Sequence, residues 1–253
     1  MFYSKNLLKL KKIKHCFFSR KNGFSEDIYK SLNCGEGSND KKDIVLKNLK
    51  YVANTLNINT ENLMLMNQTH SNKVIQINIE DVKKKKFNSD AIVTKVKDLA
   101  LGVLTADCVP IILYDKKNEI IGVVHAGWKG CVSGIIENTL NKFNAIDKNN
   151  NFFACVGPCI GKKNYEISQD LFELFNKESK SNTKFFLKKS DGKFLFNIRA
   201  YVNHRLLQLG VKNLDNIDID TFEDADNFFS YRRSKKLKEP DYGRCISTIC
   251  LKT

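Results

Sequence analysis

The sequence predicts an α/β (α+β) fold, a single domain of packed mixed β-sheets flanked by helices, and three observations carry that expectation. Short apolar, β-branched runs follow one another closely at residues 90–94, 100–105 and 109–114. From Gly130 the apolar period changes from two residues to about 3.6, the helical value, and at Phe152 it reverts. No internal repeat and no Pro-, Gly- or Ser-rich linker divides the 253 residues, a length that one large domain accommodates.

Taken in order, the first element is a helix over 44–56, where Val45, Leu49, Val52 and Leu56 recur at helical spacing behind Asn39-Asp40, which offers a cap. The three strands follow. The last of them runs into Asp115-Lys116-Lys117-Asn118, a turn-forming cluster, and then into residues 120–125, so the two apolar runs read as a β-hairpin. Val132, Ile135, Ile136, Leu140 and Phe143 share one helical face, and residues 152–156 form the next strand, which completes a strand–helix–strand unit. Helices are expected at 168–176 and 199–209, and closing strands near 214–219 and 245–251. Strands and helices in this order imply layers of both around mixed sheets.

Composition excludes several classes. An apolar fraction of 42% with 17 Phe and 8 Tyr supplies a core and argues against disorder. The longest apolar run, 109–114, falls far short of the roughly 20 residues that span a bilayer. Residues 1–20 lack the apolar stretch of a signal peptide, so a cytoplasmic location is expected. The net charge of +14 points toward nucleic acid, but only six of the 42 basic residues are Arg, the usual reader of phosphates and base edges. Lys spread along the chain reads as solvated surface rather than a binding stripe, and the run Lys83–Lys86 reads as a solvated loop. A dedicated nucleic-acid binder would instead show a steep salt dependence. Eight Cys without a secretory context are expected to be reduced, most of them buried small hydrophobes such as Cys131 and Cys250.

Chemistry concentrates where strands end. His70 closes Asn67-Gln68-Thr69-His70, Cys108 lies in Thr105-Ala106-Asp107-Cys108, and His125 opens His125-Ala126-Gly127-Trp128-Lys129-Gly130. Two imidazoles and a thiolate make three of the four ligands of a tetrahedral zinc, with one position left for water. Their separations of 38 and 17 residues match no short ligand motif, and satisfied core residues are the plainer reading. Gly127 and Gly130 around Trp128 and Lys129 either receive an anion at a helix start or make a tight turn. Asp107 is either a general acid or base, or a group that holds a neighbour in place.

Together these segments resemble a known family. Asn67-Gln68-Thr69-His70, Ser89-Asp90-Ala91 with Thr94, Thr105-Ala106-Asp107-Cys108-Val109-Pro110, His125-Ala126-Gly127-Trp128-Lys129-Gly130, Gly157-Pro158-Cys159-Ile160-Gly161 with Tyr165-Glu166-Ile167, and Phe228-Phe229-Ser230-Tyr231-Arg232-Arg233 with Gly243-Arg244 stand in the order seen in the laccase-domain, YfiH-like proteins. That family was once named polyphenol oxidase and is now described as purine nucleoside phosphorylase. The resemblance runs from about Arg20 to Leu251.

The resemblance implies one zinc held by His70, Cys108 and His125, phosphorolysis of adenosine, inosine and methylthioadenosine, and deamination of adenosine. Inorganic phosphate would be the co-substrate, with Arg20, Lys129, Arg232 and Arg233 as candidate ligands. Arg232, Arg233 and Arg244 equally suit a structural role in locking the carboxy-terminal segment. Neither nucleic acid nor membrane is an expected partner, and the chain is expected to be a monomer or weak homo-oligomer. Three departures from the family pattern are Leu49 after Asn48 in place of Arg, Asn164 in place of Cys, and Asp220 before Thr221 in place of Cys. The multicopper reading of the older name fails on ligands, since four His cannot furnish a trinuclear site and a blue-copper site. A conventional zinc deaminase would need His-x-Glu and Pro-Cys-x-x-Cys, and Ala126-Gly127 and Lys162 break both. A metal-free cysteine hydrolase, with Cys108 activated by His70 or His125, uses the same three residues.

Overall fold

The computed structural model describes residues 1–82 and 86–253. In chain order its elements are helix α1 (Lys5–Leu8), strand β1 (Ile13–Phe17), helix α2 (Lys42–Leu56), and strands β2 (Leu63–Met64), β3 (Val74–Ile77), β4 (Ala91–Thr94), β5 (Ala100–Thr105), β6 (Val109–Asp115) and β7 (Ile120–Ala126). Helices α3 (Trp128–Val132) and α4 (Ile135–Ile146), strands β8 (Phe152–Val156) and β9 (Glu166–Ile167), and helix α5 (Gln169–Glu178) come next. Strands β10 (Phe186–Lys188) and β11 (Phe194–Phe196), helix α6 (Ile198–Gln208), strand β12 (Asn213–Asn216), helix α7 (Tyr231–Leu237) and strand β13 (Cys245–Leu251) complete the chain.

The two larger sheets have the orders β12-β8-β6-β7-β4-β3 and β1-β13-β5-β2, and a small sheet β10-β11-β9 flanks them. Each larger sheet mixes parallel and antiparallel pairs, as expected. Side chains alternate across a strand, and here the alternation divides the core. Ile111, Leu113 and Val124 face α4, α5 and α6 through Leu140, Phe143, Phe175 and Tyr201. Ile112, Tyr114, Ile121 and Val123 point the other way, against Leu101, Val103, Ile249 and Leu251 of the second sheet. The far side of that sheet, with Ala100, Ile246 and Cys250, packs on Val45, Leu49, Val52 and Leu56 of α2. The result is a helix–sheet–sheet–helix stack.

The hairpin β6–β7 has the expected register, with Val109 opposite Ala126 and Asp115 opposite Ile120. Two expectations need correction. The helix after Gly127 is broken in two, because Gly134 adopts φ +87° between α3 and α4, a left-handed conformation that glycine takes at little cost. Asn39-Asp40 does not cap α2, whose N-cap is Lys41. The Asp40 carboxylate instead accepts hydrogen bonds from Ser25 Oγ at 2.7 Å and Asn33 Nδ2 at 3.0 Å, which fastens the loop before the helix. The first three residues of the run 83–86 lie outside the described residues; Lys86 itself pairs with Glu36. Among the described residues no helix is long and apolar enough to cross a membrane.

His15 on β1 is buried and its Nε2 accepts the Ser4 N–H at 2.9 Å, so the ring is neutral. Burial pulls its pKa down to about 4, opposed by the Asp215 carboxylate. A histidine held neutral in the native state but titrating near 6.5 when unfolded makes the fold lose stability as pH falls from about 6.5 toward 4, by about 3 kcal/mol. Urea unfolding at pH 7 and pH 4.5 should show this loss, and His15→Gln, which has no proton to take up there, should flatten it.

Candidate metal centre

Three strand ends and the turns after them build the site. β6 and β7 are hydrogen-bonded neighbours at the centre of the six-stranded sheet, so Cys108, just before β6, and His125, at the end of β7, meet at one end of those strands. His70 precedes β3 and adopts φ +58°, while Asp107, just before Cys108, adopts φ +85°. Both conformations are unusual for residues with a side chain, and such strain gathers at functional sites.

Asp90 holds these turns in place. Its buried carboxylate accepts hydrogen bonds from the His70 N–H at 2.9 Å, from the Ser71 N–H and hydroxyl at 2.6 and 2.7 Å, and from Thr69 through both N–H and hydroxyl at 3.2 and 3.3 Å. It also receives the His125 Nδ1 proton at 2.8 Å. One side chain therefore fixes the loop carrying His70 and the ring orientation of His125. Burial alone would raise its pKa, but the His125 and Ser71 hydrogen bonds hold it well below the carboxylate range. In the sequence Asp90 is only part of a motif. The available signal is an acid beside the apolar strand β4, since a buried carboxylate must find partners.

The ligand atoms of His70, Cys108 and His125 lie within 4.8 Å of one another, and Cys108 Sγ is 3.9 Å from His70 Nε2. A tetrahedral zinc spaces nitrogen and sulfur donors about 3.3–3.6 Å apart, a difference that small side-chain rotations close. His125 donates through Nδ1 to Asp90, which leaves Nε2 for a metal, the usual arrangement of a metal-bound imidazole and a carboxylate behind it. Burial would push the Cys108 thiol up, but the neighbouring His125 and His70 bring it down to about 6. His125, which burial would lower, is raised to about 9 by the Cys108 thiolate and Asp90. The donor set, its spacing and its support all fit zinc.

Gly127 leaves room for the ligands. A Cβ there would stand 2.9 Å from His70 Cδ2 and 3.1 Å from Cys108 Sγ. Its φ of −76° suits any residue, so space alone demands glycine. Gly127→Ala should leave the metal-free melting temperature nearly unchanged while weakening zinc binding by roughly tenfold or more, measured by competition with a chelator.

His70, Cys108 and His125 line a cavity of about 330 Å³, with Met66, Asn67, Gln68, Leu104, Glu36, Lys86, Tyr242 and Arg244 among its other walls. The remaining sequence candidates stand elsewhere. Asp107 is buried, and its two oxygens accept from Thr221 Oγ1 at 2.7 Å, Ser230 Oγ at 2.9 Å and the Arg232 N–H at 2.6 Å. Burial raises its pKa against those bonds. Of its two readings, the geometry is that of a group fastening the carboxy-terminal segment to the turn before Cys108.

Arg20 donates to the carbonyls of Ile28, Lys30 and Ala225 and lies 4.3 Å over the Phe229 ring. Arg232 donates to the carbonyls of Asn164 and Glu166, and Arg233 to those of Thr221, Phe222 and Phe228. Lys129 is exposed beside Trp128. None of these four lines the cavity. Of the departures, Leu49 is buried in the apolar cluster on α2, while Asn164 and Asp220 bond each other at 2.7 Å. The other two His are remote in kind from the triad: His15 is spent on Ser4, and His204 stands against Lys184 and Phe185. Seven of the Cys are buried free thiols, as expected, and Cys108 is half-buried.

Comparison with known proteins agrees with this fold. A purine nucleoside phosphorylase of Rickettsia prowazekii, RP494, is 31% identical over 210 residues, covering 82% of this chain and 85% of that protein. The purine nucleoside phosphorylase YfiH of Escherichia coli is 30% identical over 236 residues, covering 93% of each. Among solved structures, the Neisseria meningitidis protein NMB0706 superposes with a TM-score of 0.86 at 29% identity over 96% of both chains, and Bacillus licheniformis YfiH with 0.88 at 26% identity over 95% and 93%. The family model described as multi-copper polyphenol oxidoreductase laccase matches residues 14–252, and with the whole fold and the ordered strand-end motifs in agreement, the chain belongs to that laccase-domain family.

Proposed function

We propose that the chain is a zinc-dependent purine nucleoside phosphorylase acting on adenosine, inosine and S-methyl-5′-thioadenosine, with inorganic phosphate as co-substrate and adenosine deamination as a second reaction. The observation that carries the reading is the cluster of His70, Cys108 and His125 on the wall of a cavity whose size falls at the lower end of small-molecule sites. The names of the relatives supply the substrate class. The reading keeps the enzyme in the cytoplasm, as a monomer or weak homo-oligomer.

His70, Cys108 and His125 would hold the zinc, which when bound supplies a Lewis acid and a water whose pKa falls toward ~7. Asp90 keeps the His125 ring aimed and fixes the His70 turn. Gln68 braces the wall, its amide accepting from the Leu104 N–H at 2.8 Å and donating to the Leu104 carbonyl at 2.7 Å. Met66 and Leu104 offer apolar contact for a purine. Phosphorolysis breaks the bond from the base nitrogen to C1′ and forms a C1′–oxygen bond to phosphate, the departing base taking up a proton. Deamination adds water at C6 and releases ammonia. Asp107 enters as a positioning residue.

The test is incubation of the zinc-loaded protein with each nucleoside, with and without phosphate, and chromatography of the products. Free base and a pentose 1-phosphate should form only when phosphate is present, and ammonia should form from adenosine. If none of the three nucleosides is consumed, the reading is wrong.

A further inference from the structure

Among the described residues one Lys and one Arg line the cavity, and they differ in how their charge is met. Lys86 pairs with Glu36, which lines the same cavity. Arg244 has no carboxylate within ion-pair distance among the described residues, and the nearby Asp241 carboxylate, on which its charge acts, already accepts from the Tyr29 hydroxyl and the Asn39 N–H; its guanidinium donates from Nη1 to the Tyr242 carbonyl at 3.1 Å and lies 4.3 Å over the Tyr242 ring. Its Nε and Nη2 donors have no partner among the described residues. A half-buried guanidinium with free donors is a costly arrangement unless an anion completes it.

The side chain is also held in place before any ligand arrives. The Arg244 N–H donates to Asn33 Oδ1 at 3.0 Å, and its carbonyl accepts from the Cys34 N–H at 3.1 Å. Gly35 leaves the room it occupies: a Cβ there would stand 2.8 Å from Arg244 Cδ. The strand register brings it toward the metal ligands, because Cys245 pairs with Thr105, three residues before Cys108. Two of the other polar walls are engaged, Gln68 with Leu104 and the Asn67 amide nitrogen with Asn88.

We propose that Arg244 is the fixed arm of an oxyanion subsite beside the His70, Cys108 and His125 cluster, which takes inorganic phosphate, and that Lys86 is a second arm restrained by Glu36. A planar guanidinium with two free donors on one edge matches two phosphate oxygens. The subsite rests on the phosphorolysis reading for its ligand, but binding can be read without turnover.

The experiment is calorimetric titration of inorganic phosphate into the full chain at constant ionic strength, zinc-loaded and zinc-free, for wild type, R244Q, R244K and E36Q. Melting temperatures show that each variant is folded. R244Q should bind phosphate at least about tenfold more weakly in both metal states. R244K, which keeps charge without the fork, should fall between it and wild type. E36Q should bind phosphate severalfold more tightly, because Lys86 is released and a repelling carboxylate removed, an effect that a merely structural ion pair would not give. Equal affinity of R244Q and wild type overturns the subsite, and an E36Q affinity no higher than wild type overturns the Lys86 arm. Loss of phosphate binding in R244Q in a protein that consumes no nucleoside would leave the subsite standing and sink the reaction.

Discussion

Cys108→Ala is expected to lose both zinc and phosphorolysis while keeping its fold. The thiolate is the one sulfur donor of the cluster, so its removal should lower zinc affinity roughly a hundredfold or more, beyond what loss of a supporting group costs. Nucleoside phosphorolysis should fall below about one per cent of wild type. The fold should persist because Cys108 is only half-buried, and the turn before it is held by Asp107 through Thr221, Ser230 and Arg232. Zinc content by atomic absorption, a chelator competition and the metal-free melting curve separate these effects. The same variant would silence a cysteine hydrolase, in which the thiolate, 3.9 Å from His70 Nε2, acts as nucleophile. Chelation decides between the two. A zinc enzyme loses turnover on chelation and regains it with added zinc. A hydrolase keeps turning over without metal and is stopped by one equivalent of a thiol reagent.

What could be read from the sequence follows from how local each cause is. Strands β5, β8 and β13 begin and end where the apolar runs do, because both faces of those strands are buried and the run itself is the signal. The break at Gly134 was hidden, since the apolar face of Val132, Ile135 and Ile136 continues across it. The small sheet β10-β11-β9 escaped for a similar reason: Phe172, Phe186, Phe194 and Phe196 pack on one another, but no periodicity announces it. The three candidate metal-site residues stand in motifs whose order resembles a known family; spacing alone does not single them out, because His70 and Cys108 lie in loops before β3 and β6 and only His125 stands at a strand's end. The cations could not be sorted that way. Where an Arg side chain goes depends on which carbonyls the fold leaves open, and three of the Arg candidates, Arg20, Arg232 and Arg233, are spent on such carbonyls. Arg244, whose role the sequence left open, reaches the cavity.

Asp90→Asn should do damage that no exposed acid could, because its carboxylate is a hub rather than a pair. One oxygen accepts from the His70 N–H and His125 Nδ1, and the other from Thr69 and Ser71. An asparagine amide has one accepting oxygen, so whichever way it turns, an NH₂ group faces donors. At least one ligand-bearing turn must open or lose a partner. The cost expected from breaking a buried charged network is about 3–5 kcal/mol, and zinc affinity should fall about 10–100-fold because the His125 ring loses its orienting carboxylate. Asp90→Ala should be worse on both counts, leaving the donors unmet in an emptied space. The pH dependence has a definite sign. A carboxyl held below its unfolded range contributes stability that is full above about pH 4 and drains away as pH falls further toward the folded value. Wild type should therefore lose stability steeply on the acid side of pH 4, whereas Asp90→Asn, already missing that contribution at neutral pH, should show a shallower acid limb. Urea unfolding of the metal-free protein across that range measures the difference. Equal stability of the two proteins at pH 7 would mean that Asp90 is not the clamp that brings His70 and His125 together.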